Sequence, residues 1–319
     1  MPVAISGGSR IRTNTPAENA YNSLMTSSNA IAKSQLNIST GKRINAASDD
    51  VAGYITARSL QARNGSLKSA LKSVGDAKNV TAITQDALDN INNLLNDINS
   101  SAATASSAAL GTDEKVTLAK SAYRLAQQIQ TVVDSTVFGG KQLLDNSFSG
   151  EFSIGFKADN TILTIGIDLT TSNTDFNTSF VKDGTTTTTN TFDIKGTKAT
   201  DFAGVTGLNL SSLNDVSSTD LGIFSSENIK ATLQSLTSAI NNINKVASYV
   251  GGIENRLTSQ EELLKSQTTN YNAAISRIED ADMASEQLSL VKNQFLQSTS
   301  ITSLAQANQN PNTFMQLMR

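Results

Sequence analysis

The chain has 319 residues, of which 38% are apolar and 5% aromatic. It contains no Trp, Cys or His, and its 25 basic and 28 acidic residues leave a net charge of −3. That balance excludes a basic footprint for nucleic acid and a polybasic membrane patch. The missing His and Cys remove Ser-His-Asp and Cys-His catalysis, thiolate and His-bearing metal sites, and disulfide staples.

The core must be aliphatic and thin. The only prolines, Pro2, Pro16 and Pro311, lie near the ends, so the stretch between them is free to run helical. Residues 1–20, with Gly7, Gly8 and Pro16, read as irregular, and they lack the apolar run of a cleavable signal. Nowhere do 18 apolar residues occur together, so no membrane span is readable. Tyr21, Leu24, Met25, Ile31 and Leu36 predict a loosely amphipathic, Ser/Asn-rich first helix. Alone it buries too little to offset chain entropy and is expected to order only against a partner.

Leu36–Asp50 breaks the periodicity with Gly41 and a cluster of turn and cap residues. Ser48 or Asp49 is expected to cap the next helix, and the pair Asp49-Asp50 favours its positive start over any catalytic role. Arg43, just before that helix, reads either as an intersubunit contact or as a solvated turn residue. From Val51 to about Ser107 a second helix carries Leu60, Leu67, Leu71, Val74, Val80, Ile83, Ala87, Ile91, Leu94 and Ile98 on one stripe. After a break near Gly111, a third follows with Leu118, Ala122, Leu125, Ile129 and Val132, and Phe138-Gly139-Gly140 is expected to end it.

Then the character changes. Residues 152–156 and 162–167 predict a hairpin across Ala158-Asp159-Asn160. Residues 170–225 are rich in Thr, Ser, Asn, Asp and Gly and read as a small exposed excursion, with short strands near Thr191–Ile194. Within it, Thr185, Thr186, Thr187, Thr188 and Thr189 read as a flexible loop or as O-glycosylation acceptors. Its aspartates, Asp183, Asp193, Asp201, Asp215 and Asp220, form no recognisable motif, so an enzyme grafted there has no support.

The longest periodic stretch is Ile229–Ala307, a helix expected to be interrupted once or twice. Ile229, Leu233, Leu236, Ile240, Ile243, Val246, Val250, Ile253 and Leu257 step by three and four, the seam of a coiled coil. The consecutive threes at Ile240, Ile243 and Val246 predict a local shift of that stripe. At roughly 1.5 Å per residue such a run reaches on the order of 100 Å, so its partners must be other long helices of this chain or of neighbouring copies. Glu279, Asp280 and Asp282 admit a metal or acid/base reading. The reading adopted is a solvated or intersubunit ion-pairing face near Arg277. No glycine fingerprint or phosphate loop marks a cofactor, and no catalytic, cofactor or metal residues are assigned.

Three stretches carry a family resemblance. Leu36 to Asp50, with Arg43, Ile44, Asn45, Asp49 and Asp50, followed by Val51-Ala52-Gly53, resembles the N-terminal hallmark of bacterial flagellins. The C-terminal hallmark is matched by Ser276 to Asp282, with Arg277, Ile278, Glu279 and Asp280, and by Leu304, Gln306 and Asn308 near the final Arg319.

The resemblance implies a mainly α fold with three parts. Residues 1–50 and 281–319 would form an inner terminal coiled-coil domain, 51–170 and 226–280 a helical bundle with a β-hairpin, and 171–225 a small surface insertion. It implies a secreted, non-enzymatic subunit of the extracellular flagellar filament that polymerises with copies of itself, and assembly roles for the hallmark residues. Other implied partners are the export apparatus and chaperone and the cap and junction proteins. A hook–filament junction protein shares the terminal hallmarks and is the alternative; a secreted binding module that displays the middle is a further one.

One departure matters. Many members carry an Arg-rich pattern on the second helix that a vertebrate innate receptor reads. Here Asp97 and Asn99 stand where the arginines would, and Ser100-Ser101 replace Glu-Leu, so poor receptor recognition is expected.

Overall fold

A computed structural model of the chain describes residues 13–145, 148–156, 162–169, 177–182, 185–190, 217, 221–225 and 228–317. Five α-helices dominate: α1 (Thr15–Thr40), α2 (Val51–Ala105), α3 (Thr112–Ser135), α4 (Ile229–Glu279) and α5 (Met283–Leu317). Between α3 and α4 lie three two-stranded antiparallel ribbons: β1–β2 (Val137–Phe138, Lys141–Gln142), β3–β4 (Ser149–Phe156, Ile162–Asp168) and β5–β6 (Asn177–Lys182, Thr185–Asn190). The fold is therefore mainly α with a small β insertion. The chain divides into two units, one of residues up to Gly65 and from Thr269 onward, the other of Ser66–Thr268.

In the Ser66–Thr268 unit the core is a set of heptad seams. On α2 the seam runs through Leu67, Ala70, Val74, Ala77, Thr81, Thr84, Leu88, Ile91, Leu95, Ile98, Ala102 and Ala105, steps of three and four without interruption, and the expected Val80 and Ala87 are buried beside it. This corrects the stripe read from the sequence, because Ile83 is exposed while two threonines occupy seam positions. Their hydroxyls are satisfied within the helix: Thr81 donates to the Lys78 carbonyl at 2.9 Å and Thr84 to that of Val80 at 2.7 Å.

The same substitution of small for large occurs on α4. Its seam runs through Ile229, Thr232, Leu236, Ala239, Ile243, Val246, Val250, Ile253 and Leu257, so Thr232 and Ala239 replace the expected Leu233 and Ile240. The predicted local shift of the stripe does not occur. On α3, Ala119, Ala122, Ala126, Ile129 and Val133 are buried, while Leu118, Leu125 and Val132 sit half-buried beside them. Alanine in a seam lets helices approach closely, and the larger neighbours seal its flanks.

Polar links fix the α2–α4 register. Lys78 pairs with Glu261 at 2.8 Å, and Asn92 donates to Asn244 at 3.0 Å. Numbering rises on α2 as it falls on α4, so the two helices are antiparallel. Glu261 also accepts from Lys265 at 2.5 Å, and these two ammonium groups, Lys265 first, hold its carboxyl down at about 2.

Gly139 and Gly140 turn the β1–β2 ribbon, both in the left-handed region (φ 58° and 80°) that a two-residue hairpin requires. They do not end α3. Its end is set by Thr136, whose N–H and hydroxyl both donate to the Val132 carbonyl, at 3.0 and 2.6 Å.

The β3–β4 hairpin begins three residues earlier than expected and carries a bulge between Ser153 and Gly155. The bulge frees the Ile154 carbonyl, which accepts from Gln260 of α4 at 2.8 Å. On β4, Ile165 and Ile167 are buried and Ile162 exposed, the alternation of a ribbon with one packed face. Thr185–Thr189 lie in β6, correcting the loop reading, since β-branched side chains suit extended backbone. Ala158-Asp159-Asn160 and Thr191–Ile194 lie outside the described residues.

The other unit is built differently. Asn14 caps α1, its side chain accepting from the Ala17 N–H at 3.2 Å, and Pro16 sits in the first turn, where its missing N–H costs nothing. Regular helix thus begins inside the stretch expected to be irregular. Helices α1 and α5 run antiparallel. Asn14 donates to the Ala307 carbonyl at 2.9 Å, and Asn37 donates to Glu286 at 3.0 Å at the opposite end of α1. The buried residues of α1 are Ser27, Ser34 and Asn37, while Tyr21, Met25 and Leu36 are exposed, contrary to the predicted stripe.

Candidate functional site

The two hallmark stretches fold into one node, inside the unit that contains the chain ends. It forms where both helical courses are interrupted, between α1 and α2 and between α4 and α5. Gly41 ends α1 in the left-handed conformation (φ 69°). The chain then lies across the α4–α5 break as a minimal antiparallel strap. Lys42 is bridged to Asp280, Arg43 donates its N–H to the Glu279 carbonyl at 2.7 Å, and Ala281 donates to the Gly41 carbonyl at 2.9 Å.

Side chains tighten the strap. Glu279 is 8% exposed; its carboxylate accepts from Lys42 Nζ at 2.5 Å and from the Gln61 side-chain amide of α2. Its counter-ion is therefore Lys42 of the same chain, so Glu279 itself is not part of a solvated face near Arg277, while Asp280 and Asp282 are exposed. Arg277 stays exposed in the last turn of α4. Arg43 donates through its guanidinium to the Ile278 carbonyl at 2.8 Å, an intrachain role that neither reading of it foresaw. Asn45 donates to Asn37 at 2.9 Å and to the Lys42 carbonyl at 3.0 Å, and Asn37 in turn reaches Glu286. The polar chain so formed links the ends of α1 and α5, and Lys42 carries it on to the end of α4.

The acidic pair divides its work. Asp50, not Ser48 or Asp49, caps α2, its side chain accepting from the Gly53 N–H at 2.9 Å. Asp49 instead holds the preceding loop. It pairs with Lys33 at 3.0 Å and accepts from the backbone N–H of Asn45 and Ala46, both at 3.1 Å, and these contacts, Lys33 first, lower its pKa. Asp282 caps α5 through the N–H of Ala284 at 3.0 Å.

Beneath the polar bonds, Ile44 is buried against α2. A Cβ at Gly53 would stand 2.7 Å from Ile44 Cδ1 and 2.5 Å from Asp50 Oδ2, so any larger residue must displace the ends of these two side chains. Ile44, Asn45, Asp49, Asp50, Arg43, Ile278, Glu279 and Asp280 thus meet in one place. Leu304, Gln306 and Asn308 lie far along α5, half-buried or exposed, and Arg319 lies outside the described residues. Reading the sequence missed Lys42, Gln61, Gly53 and Asn37. Gly53 followed the hallmark directly and carried a signal, whereas Gln61 had none. Among the described residues no acidic cluster is placed to hold a metal ion, and no helix is long and apolar enough to cross a membrane.

The second feature of this unit is its exterior. On α5 Leu288 and Phe295 are each 72% exposed and Val291 61%; Leu296 and Ile301 are exposed as well. Tyr21, Met25 and Leu36 of α1 and Val51 and Ile55 of α2 are also exposed. Ala307 is the one buried apolar residue of α5 among those described. The α1–α5 seam leaves a groove of about 750 Å³ of mixed character, lined by Asn19, Ala20, Thr26, Leu296 and Thr299 among others. Many of the large apolar side chains of this helix pair are exposed, with Leu24, Ile31, Ile38, Leu290 and Leu304 half-buried, and the fully buried positions of α1 hold small polar ones.

Comparison with known proteins accounts for both features. Residues 11–149 match the model of the bacterial flagellin N-terminal helical region, and residues 233–318 that of the bacterial flagellin C-terminal helical region. A flagellin of Bacillus subtilis is 28% identical over 318 residues, covering 97% of this chain and 100% of that one. A flagellin of Halalkalibacterium halodurans is 25% identical over 310 residues, with 97% and 99% covered. One from Listeria monocytogenes is 24% identical over 311 residues, with the same coverage. The hallmark node, the long helical courses and these matches at both ends establish that the chain belongs to the bacterial flagellin family.

Proposed function

We propose that this flagellin is the structural subunit of a flagellar filament, polymerising with copies of itself so that motor torque becomes thrust in swimming. The observation that carries this reading is the apolar exterior of the α1–α5 pair. Burying one side chain such as Phe295 or Leu288 is worth about 1.5–3 kcal/mol. A pair with so many left outside gains little by itself and much in the company of other copies.

Contacts between different patches of successive copies do not close a ring and so build a helical tube. In it, residues 1–50 and 281–319 form the inner layer, 51–170 and 226–280 the next, and 171–225 face outward. The hallmark residues organise each subunit's contribution to the inner layer. The family is one of structural proteins, and its filaments lie outside the cell. Export through the flagellar apparatus, an export chaperone, and the cap and junction proteins follow from family membership as further partners.

Electron microscopy of purified monomer, with and without filament seeds, tests the reading. Long tubular filaments are the expected result, and failure to elongate seeds overturns it. No observation favours the hook–filament junction protein, which should not elongate seeds unaided.

Two finer readings belong here. Asp97 is exposed and Asn99 half-buried on α2, where an arginine-reading receptor would find no cation, so endotoxin-free monomer should signal poorly in reporter cells. Threonines 185–189 are candidates for O-glycosylation by composition, and an intact mass equal to that of the bare sequence removes that idea.

A further inference from the structure

We propose that the buried Glu279 carboxylate couples the two chain ends, so that α1 and α5 enter the filament jointly or not at all. This rests on the filament reading above and adds a device to it.

Glu279 belongs to the C-terminal course, yet both of its side-chain partners, Lys42 and Gln61, come from the N-terminal course. Only a tenth of its side chain reaches solvent. Around Glu279 four further bonds cross the same divide. Arg43 donates to Glu279 and Ile278, Ala281 donates to Gly41, and Asn37 donates to Glu286. The α1–α5 seam, by contrast, fully buries Ser27, Ser34, Asn37 and Ala307, of which only Ala307 is apolar, while Leu24, Ile31, Leu290 and Leu304 are half-buried.

If the C-terminal course orders without the N-terminal one, Glu279 is left without its ammonium and its amide. A buried carboxylate deprived of its partners is penalised far more than a site where both members are replaced by apolar groups of similar volume. The penalty falls on half-docked subunits. Because coupling is reciprocal, loss of order at one end must appear at the other.

The test uses the full chain on seeds of unmutated filament and compares K42M, K42R and the double variant K42M/E279M. Two quantities are read: the critical concentration for elongation, and hydrogen exchange in filaments over residues 13–40 and 283–307. K42M should raise the critical concentration at least tenfold. It should also reduce protection over both segments, although it alters only the N-terminal course. K42R should stay near the unmutated level, and the double variant should return to within about threefold of it.

Three outcomes overturn the coupling: an unchanged critical concentration in K42M, a loss of protection confined to residues 13–40, or a double variant no better than K42M. Misfolding is controlled by the melting of the Ser66–Thr268 unit, which contains neither residue and should not move. If the unmutated chain itself fails to elongate seeds, the filament reading falls. If it elongates and K42M equals it, only the coupling falls.

Discussion

The two units use the same heptad geometry to opposite ends. In the Ser66–Thr268 unit, α2 turns Leu88, Ile91, Leu95 and Ile98 into the seam, all fully buried. In the unit of the chain ends, α1 turns Ser27, Ser34 and Asn37 inward and leaves Tyr21, Met25 and Leu36 outside. The hydrophobic effect scales with apolar area removed from water, so the first seam stabilises a single chain and the second does not. Where the large side chains point therefore separates a self-sufficient bundle from a pair of helices made for company. The polar node at Glu279 belongs to the second kind, and hydrogen bonds there define geometry more than they supply stability.

The largest test of this contrast is removal of residues 281–319. Seeded elongation should vanish, while the melting transition of the Ser66–Thr268 bundle, followed by circular dichroism, stays where it was. A truncated chain that still builds filaments would break the comparison. Next come two single truncations read side by side. Leu95→Ala should destabilise the monomer by about 2–5 kcal/mol, because it leaves a cavity in a closed seam. Phe295→Ala should change monomer stability by less than about 0.5 kcal/mol. It should nevertheless raise the critical concentration on the order of ten- to a hundredfold. Equal effects of the two on the monomer would refute the inside-out arrangement.

Smaller effects are expected at the node's frame. Gly53→Ala forces a Cβ into Asp50 and Ile44 and should weaken filaments by about 1–3 kcal/mol. Asp50→Ala, which removes a cap, should cost about 1 kcal/mol. Filament melting with an undisturbed monomer bundle is the result that checks both.

The smallest effect is at Glu261. Its carboxyl is depressed in the folded chain to about 2 from an ordinary 4.5. A depressed carboxylate stabilises fully above the ordinary value, and that contribution drains away as pH falls from there toward about 2. The pair is partly solvated, so Glu261→Gln should flatten this acid limb by less than about 1 kcal/mol. An unaltered pH profile of bundle melting would deny the pair any stabilising role.

Much of this architecture was legible in the order of residues. Four helical runs, the last of them interrupted, and the hairpin near residue 162 follow from apolar periodicity, whereas the place of that interruption does not. The two hallmark stretches were legible as well, though not that they meet. Seam positions were less so, and for a definite reason. Leu233, Ile240 and Leu125 look like core by hydropathy, yet the positions of closest approach hold Thr232, Ala239 and Ala126. Closest approach favours small side chains, which hydropathy ranks low. The cap of α2 shows the same limit, because Ser48, Asp49 and Asp50 are all competent and only backbone geometry chooses Asp50.

By itself the sequence determined that the chain is helical, lacks the His and Cys that most catalytic and metal sites use, and needs long helical partners. Those properties follow from composition and from the 3.5-residue repeat, which are local. Tertiary structure alone decided that Lys42 and Gln61 of one course would clasp Glu279 of the other. It also decided that the terminal pair would bury serine and asparagine while showing phenylalanine and leucine to the outside. Both outcomes depend on which faces come together in space, and a single helix's periodicity says only that it has a face.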